Sequence, residues 1–375
     1  MNQRVQYLKD RLRNTKPHIC PERAVLVTEF YRRCSMDAPL IKRAKMLDYL
    51  LSNMTIYIGD KELIVGNIAK EYRGVPVFPE FGTNWIIDSI DEFNIRGTDP
   101  LILSEENKTI LLEALSFWKD QSFKELIDEK LSKEVLEAEK YGVLSVGSRT
   151  TSTGHVVPNY TKVLSLGLKG IINEAKKRKA SIKMVDHDLQ RKIDFWDAII
   201  IACTACIKFA HRYSDLAKEM AAREKDAARQ EELMKISENC RWVPENPPRT
   251  TYEALQFFWF MHLIMQIETN GHSIGLGRFD QTMYPYYKED KEKGIITYEE
   301  CVELIECLWI KITEIIKVRD SFDAQAFAGY PMWQNCVVGG VTPTGKDAVN
   351  EFSFCILDAT EKVQTTHPTI SIIYH

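Results

Sequence analysis

TYEALQFFWFMHLIMQIE (251–268), followed after Thr269 by NGHSIGLGRFDQ (270–281), is the stretch on which the fold turns. The first segment is apolar nearly all the way round, the pattern of a helix buried on every side. Only Glu253, Gln256, His262, Gln266 and Glu268 punctuate it. The second sets His272, Ser273, Arg278 and Asp280 among three glycines. A buried helix that releases into a polar, glycine-rich loop delivers functional groups to the interior of a large fold.

Reading outward, residues 1–54 carry helical periodicity, with Val25, Leu26, Phe30 and Tyr31 sharing one face, and three short helices are expected. MTIYIGDKELIVGNI (54–68) reads as two apolar runs about a Gly-Asp turn, so a β-hairpin is predicted. Residues 74–103, rich in Gly, Pro and Asp, predict an ordered connection, and Ser104 is the expected N-cap of the next helix. VLSVGSRTTSTGHVVPNY (143–160) places small hydroxyl residues and glycines between ordered elements, as in a loop entering a cavity. Two helices are expected over 186–240, the first apolar and the second charged on all sides. Further helices follow at 251–269 and from Thr297. QNCVVGG (334–340) and PTISIIYH (368–375) are strands flanking a helix, which predicts a parallel α/β arrangement. The domain reading is a mostly helical outer region with a hairpin over 1–140, and half-barrel strands with packing helices over 141–375.

With 375 residues, 45% of them apolar, the chain can build a large core. A net charge of −4 supplies no phosphate-seeking field, so no nucleic-acid partner is expected. No apolar run approaches the ~20 residues of a membrane span. The amino terminus lacks the apolar core of a signal peptide, and a cytoplasmic location is expected. Nine cysteines embedded in apolar patterns read as reduced thiols. Cys203 and Cys206 form a CxxC within one helix face, read as core packing, and Cys336 likewise. No metal site is expected: the eight histidines are scattered, and no carboxylate sits at ligand spacing near His155 or His272. Those two histidines stand out because each follows a glycine in a loop, TGH and NGH.

The ordered set ERAVLVTEFYR, KELIVGN, VFPEF, TGHVVPNYTKVLSLGLKGIINEA, NGHSIGLGRFDQTMYPYY, AGYPMWQN and VVGG resembles the amino-terminal half of a glycyl radical enzyme. Within the pyruvate formate-lyase-like superfamily it is most similar to the B12-independent glycerol and diol dehydratases. The resemblance implies an α/β fold, the amino-terminal half of a ten-stranded α/β barrel surrounded by many helices. It implies that the radical-bearing glycine and a Cys-x-Glu loop lie after His375, that the 375 residues alone are inactive, and that no cofactor binds this chain. The glycyl radical would be installed by a separate S-adenosylmethionine and iron-sulfur activating enzyme. A small-molecule substrate and a homodimer are implied as well.

Carried over residue by residue, the resemblance makes His155 catalytic, beside the hydroxyl to be lost, and gives His272, Ser273 and the aromatic Tyr330 to substrate binding. An imidazolium can donate a proton as a carbon–oxygen bond breaks. Arg278 and Asp280 are expected to brace the turn. Arg149 departs from the diol dehydratase pattern. Pointing inward it would favour a carboxylate, sulfonate or phosphate, as in a carbon–sulfur lyase; pointing outward it is a surface arginine. A helical module that has kept the fold without the chemistry, and a metal-dependent hydrolase using His155 and His272, are the remaining alternatives.

Overall fold

The computed structural model describes residues 2–34, 36–145, 147 and 149–374. The three expected amino-terminal helices are α1 (Gln3–Asn14), α2 (Glu22–Arg33) and α3 (Pro39–Asn53), with a short strand β1 (His18–Cys20) between the first two. Strand β2 (Gly74–Pro76) pairs parallel to β1. Helix α4 (Asn84–Asp88) lies in the Gly/Pro-rich connection, and α5 (Glu105–Trp118) begins where Ser104 accepts from the Asn107 amide. Helices α6 (Phe123–Asp128) and α7 (Lys133–Lys140) precede the 143–160 loop, of which Val146 and Ser148 lie outside the described residues.

The predicted hairpin at 54–68 is not formed. The segment is extended and buried, but its backbone groups are taken by side chains instead of by a second strand. Gln256 accepts from the Val65 amide at 2.9 Å and donates to the Val65 carbonyl at 2.8 Å. Tyr213 accepts from the Asn67 amide, and Tyr252 donates to the Leu63 carbonyl. The Gly-Asp turn closes on Glu62, which accepts from the Gly59 amide. Every buried backbone group needs a partner, and polar side chains on neighbouring helices served where the sequence pattern suggested a ladder.

Helices α8 (Tyr160–Ala180), α9 (Leu189–Arg223) and α10 (Ala227–Trp242) pack as neighbours, α3 lying along α9. The break between α9 and α10 falls inside the charged run, where Asp226 caps α10 by accepting from Ala228. That run is not solvated on all sides: Leu233, Ile236 and Cys240 are buried, and Arg229 ties to the Glu62 carbonyl and to Glu232.

Helix α11 (Thr251–Glu268) buries fourteen of its 18 residues. Its polar residues are cross-ties: Gln256 holds the 54–68 segment, Glu253 holds Arg249, and His262 bridges Tyr160 and Gln334. Strand β3 (Gly277–Arg278), α12 (Phe279–Glu292), α13 (Tyr298–Glu314), α14 (Ser321–Ala326), β4 (Asn335–Gly339), α15 (Glu351–Val363) and β5 (Thr369–Ile373) complete the chain. Strands β3, β4 and β5 form a parallel sheet in that order, and a parallel bridge between Val156 and Ile274 extends it by one position. The large core unites α1 and α3 with α9, α11 and α13; a smaller one lies under β1, β2, α4 and α5. Cys206 and Cys336 are buried in the core, as expected. Among the described residues no helix is long and apolar enough to cross a membrane.

Candidate active site

The site is a junction of three irregular segments. One is 150–157, the second is 269–276, and the third is 327–334. The two Gly-His motifs meet back to back. The His155 amide donates to the His272 carbonyl at 2.8 Å, and the ladder continues into the Val156–Ile274 bridge. Glycine is required on both sides of this contact. A Cβ at Gly271 would lie 1.9 Å from the Thr153 carbonyl oxygen, and one at Gly154 would lie 2.4 Å from that of His272. Side chains complete the zipper: Thr269 donates to the Thr153 carbonyl at 2.9 Å, Asn270 donates to the Thr150 carbonyl at 2.9 Å, and the hydroxyls of Ser152 and Thr269 are bonded.

This pairing sets the His155 and His272 rings edge to face with centroids 4.9 Å apart. The third segment brings Trp333 to the other side of His272, with ring centroids 4.8 Å apart, and Phe327 packs edge-on against Trp333. The Ser273 amide donates to the Met332 carbonyl at 2.9 Å, stitching the second segment to the third. A small cavity of about 30 Å³ lies here, lined by Thr150, Asn270, His272, Lys317, Arg319 and Trp333 among others. It has room for about two waters. The three segments carry strain: His155, Ser273, Tyr330 and Trp333 all adopt φ between 46° and 58°, and Trp333 among them lines the cavity. Such residues cost about 1–3 kcal/mol each and persist where surrounding structure over-determines them.

Burial holds the His272 imidazole at about 4, with Arg319, His155 and Lys317 adding repulsion. At neutral pH His272 is therefore a neutral imidazole, one nitrogen donating and one accepting. Lys317, which lines the same cavity, is buried, and desolvation pushes its amine well below its ordinary value.

The structure therefore brings together His155, His272 and Ser273, and it sets Arg149 and Tyr330 apart from them. Arg149 does not reach this group. Its guanidinium is held by Glu139 at 2.7 Å and Asp128 at 2.6 Å, carboxylates of the outer helices α7 and α6, because an arginine fork is best satisfied by two acids. Tyr330 is not the pocket's aromatic. Its hydroxyl donates to the Pro100 carbonyl and its amide to Asp99, which turns the ring toward the smaller core. Trp333, three residues on, takes that place. Arg278 and Asp280 brace the turn as expected. Arg278 donates to the Gly339 and Val341 carbonyls, while buried Asp280 accepts from the Gly339 amide and the Ser353 hydroxyl. Lys317, Arg319 and Trp333 escaped the sequence reading because TEIIKVRD and PMW look like an ordinary helix end and turn.

The family model described as pyruvate formate lyase-like matches residues 1–375. The glycerol-bound B12-independent glycerol dehydratase from Clostridium butyricum is 41% identical, with a TM-score of 0.96, over 99% of this chain and 47% of that one. A structure described for 1,2-propanediol dehydration in Roseburia inulinivorans is 38% identical, with a TM-score of 0.97, over 100% of this chain and 47% of that one. The probable dehydratase YbiW of Escherichia coli K12 is 36% identical over 96% of this chain and 45% of its own length. The chain thus spans about half the length of the relatives it matches. The fold is that of the glycyl radical enzymes.

Proposed function

The chain belongs to the pyruvate formate lyase-like family, and from that premise we propose that it forms the substrate-binding wall of a glycyl radical eliminase that dehydrates glycerol or a small 1,2-diol. The observation that carries the reading is the backbone pairing of the two Gly-His motifs, which presents His155 and His272 side by side. The glycyl radical, which a separate activating enzyme using S-adenosylmethionine and an iron-sulfur cluster would install, would store the radical that a cysteine thiyl uses to abstract hydrogen from the substrate. None of the nine cysteines lines the cavity, so these residues fit the polar wall of the site and not its hydrogen-abstracting thiol.

In this reading the neutral His272 ring and the Ser273 hydroxyl bind the two diol oxygens, each able to donate and accept. His155 gives a proton to the hydroxyl on the carbon beside the radical carbon, which leaves as water; the hydroxyl that stays returns a proton to His155 and becomes the carbonyl, and the carbon that lost water receives the returned hydrogen atom. Trp333 and Phe327 keep bulk water from the reacting carbons. The carbon–sulfur lyase alternative drew on Arg149, and the pairing of Arg149 with Asp128 and Glu139 withdraws that support.

The test is anaerobic turnover by the whole activated protein, offered glycerol, 1,2-propanediol and 2-hydroxyethanesulfonate separately, with aldehyde and sulfite assayed independently. Aldehyde from the diols without sulfite from the sulfonate is the expected result, and His155→Ala should lower kcat by about 10² or more. Sulfite release, or an unaltered His155→Ala enzyme, overturns it.

A further inference from the structure

We infer that Lys317 is a positioning residue for His272, clamping the carbonyls on either side of Asn270 so that the second Gly-His loop keeps its strained course. The inference rests on the reading of His272 as a substrate contact. Lys317 lies three residues past the end of α13, and its Nζ donates to the Thr269 carbonyl at 2.5 Å and to the Gly271 carbonyl at 2.7 Å. The side chain is buried, with the Phe78 ring 5.4 Å away. No carboxylate within ion-pair distance of it is found among the described residues. The neighbouring acids are engaged elsewhere, Glu80 with Arg23 and Glu268 with Arg43.

A buried amine without an acid is costly, and a methionine of similar shape would remove the desolvation penalty. What a methionine could not do is satisfy the two carbonyls. Thr269 is the residue that caps the carboxyl-terminal end of α11, where the helix dipole favours a cation. Gly271 is the residue whose backbone must approach Thr153 within contact distance for the two loops to pair. Fixing both carbonyls fixes the peptide units that lead directly into His272, and Ser273 beyond it holds a φ of 58°. Two hydrogen-bonded N–H groups use two of the positions on the Lys317 nitrogen. No further hydrogen-bond partner of this nitrogen is found among the described residues, and Lys317 lines the same cavity as His272.

Site-resolved hydrogen exchange and histidine ¹³Cε1–H spectra of the chain with Lys317→Met provide the test. The amide of His155, which is bonded to the His272 carbonyl, should exchange at least about fivefold faster, the factor that corresponds to a net hydrogen-bond worth of ~1 kcal/mol. The His272 ring signal should shift or split, while amides of α9 and the His211 signal stay as in the wild type. A folded Lys317→Met protein with unchanged His155 exchange and an unchanged His272 signal overturns the inference. If Lys317→Met does not fold, the wild type decides through ¹⁵Nζ-lysine spectra. One side-chain N–H signal protected from solvent, with a cross-peak to the Gly271 α-protons, is expected, and its absence overturns the inference. A protected Lys317 in a protein that fails to dehydrate diols would sink the diol reading and leave the clamp standing.

Discussion

Two stretches of this molecule are irregular, extended and set against α11: residues 54–68, and the paired loops 150–157 and 269–276. They solve the same problem in opposite ways. The first is held from outside, its amides and carbonyls met by Gln256, Tyr213 and Tyr252 on flanking helices, with its own side chains buried as core. The second is held by loop against loop, with backbone bonds and the side chains of Ser152, Thr269 and Asn270 together, glycines where a Cβ would collide and residues in strained conformations beside them. The first arrangement spends polar side chains to fill space. The second sets polar residues such as Asn270 and His272 at a cavity, which is the difference between scaffold and site.

The sharpest way to break the second arrangement is Gly271→Ala. Its methyl would fall 1.9 Å from the Thr153 oxygen, so the loops must separate. A loss of about 3 kcal/mol is expected from such overpacking, with loss of the His155–His272 ring contact; urea melts and histidine ring NMR check both. Gln256→Leu should strike the first arrangement instead. With the Val65 amide and carbonyl both left unpaired it should cost about 2 kcal/mol, leaving the histidine ring signals of the site in place.

Acid separates the two regions with a smaller effect. Burial holds His262, His272 and His367 at about 4, below the ordinary 6.5. The native state therefore binds fewer protons than the unfolded chain between pH 6.5 and 4, and their share of stability is lost as pH falls through that window. Glu314, in the network with Lys311 and Glu62 of the 54–68 segment, is pushed up to about 7, chiefly by burial. It takes up a proton in the native state first, so its share grows as pH falls from 7 to 4.5. Three groups oppose one, and stability should decline on acidification below pH 6.5. Urea melts at stepped pH should show His272→Gln flattening that decline and Glu314→Gln steepening it; unchanged slopes in both variants would refute the assignment.

Much of this was legible beforehand. The helices of the first 54 residues, the N-cap at Ser104, the parallel β4 and β5, and the bracing by Arg278 and Asp280 all follow from local patterns that act over a few residues. The two Gly-His motifs could be singled out because a glycine before a polar residue in a loop is a local signal too. The apolar runs of 54–68 were misread because alternation reports burial of alternate side chains, not the identity of the hydrogen-bond partner. The positions of Arg149 and Tyr330 are hidden from the sequence for a related reason. A side chain's type says what it can bind, while its direction depends on which acids or carbonyls the fold sets nearby, here Asp128 and Glu139 for one and Pro100 for the other.

By itself, the sequence determined the helical scaffold, the buried α11 and the glycines that allow two loops to approach, since each depends on covalent geometry and short-range periodicity. Only the tertiary structure decided that those glycines face each other, that Trp333 and not Tyr330 lies against His272, and that Lys317 holds the loop from behind. Contacts between residues 46 to 117 positions apart are set by how the helices pack, and no local pattern carries that information.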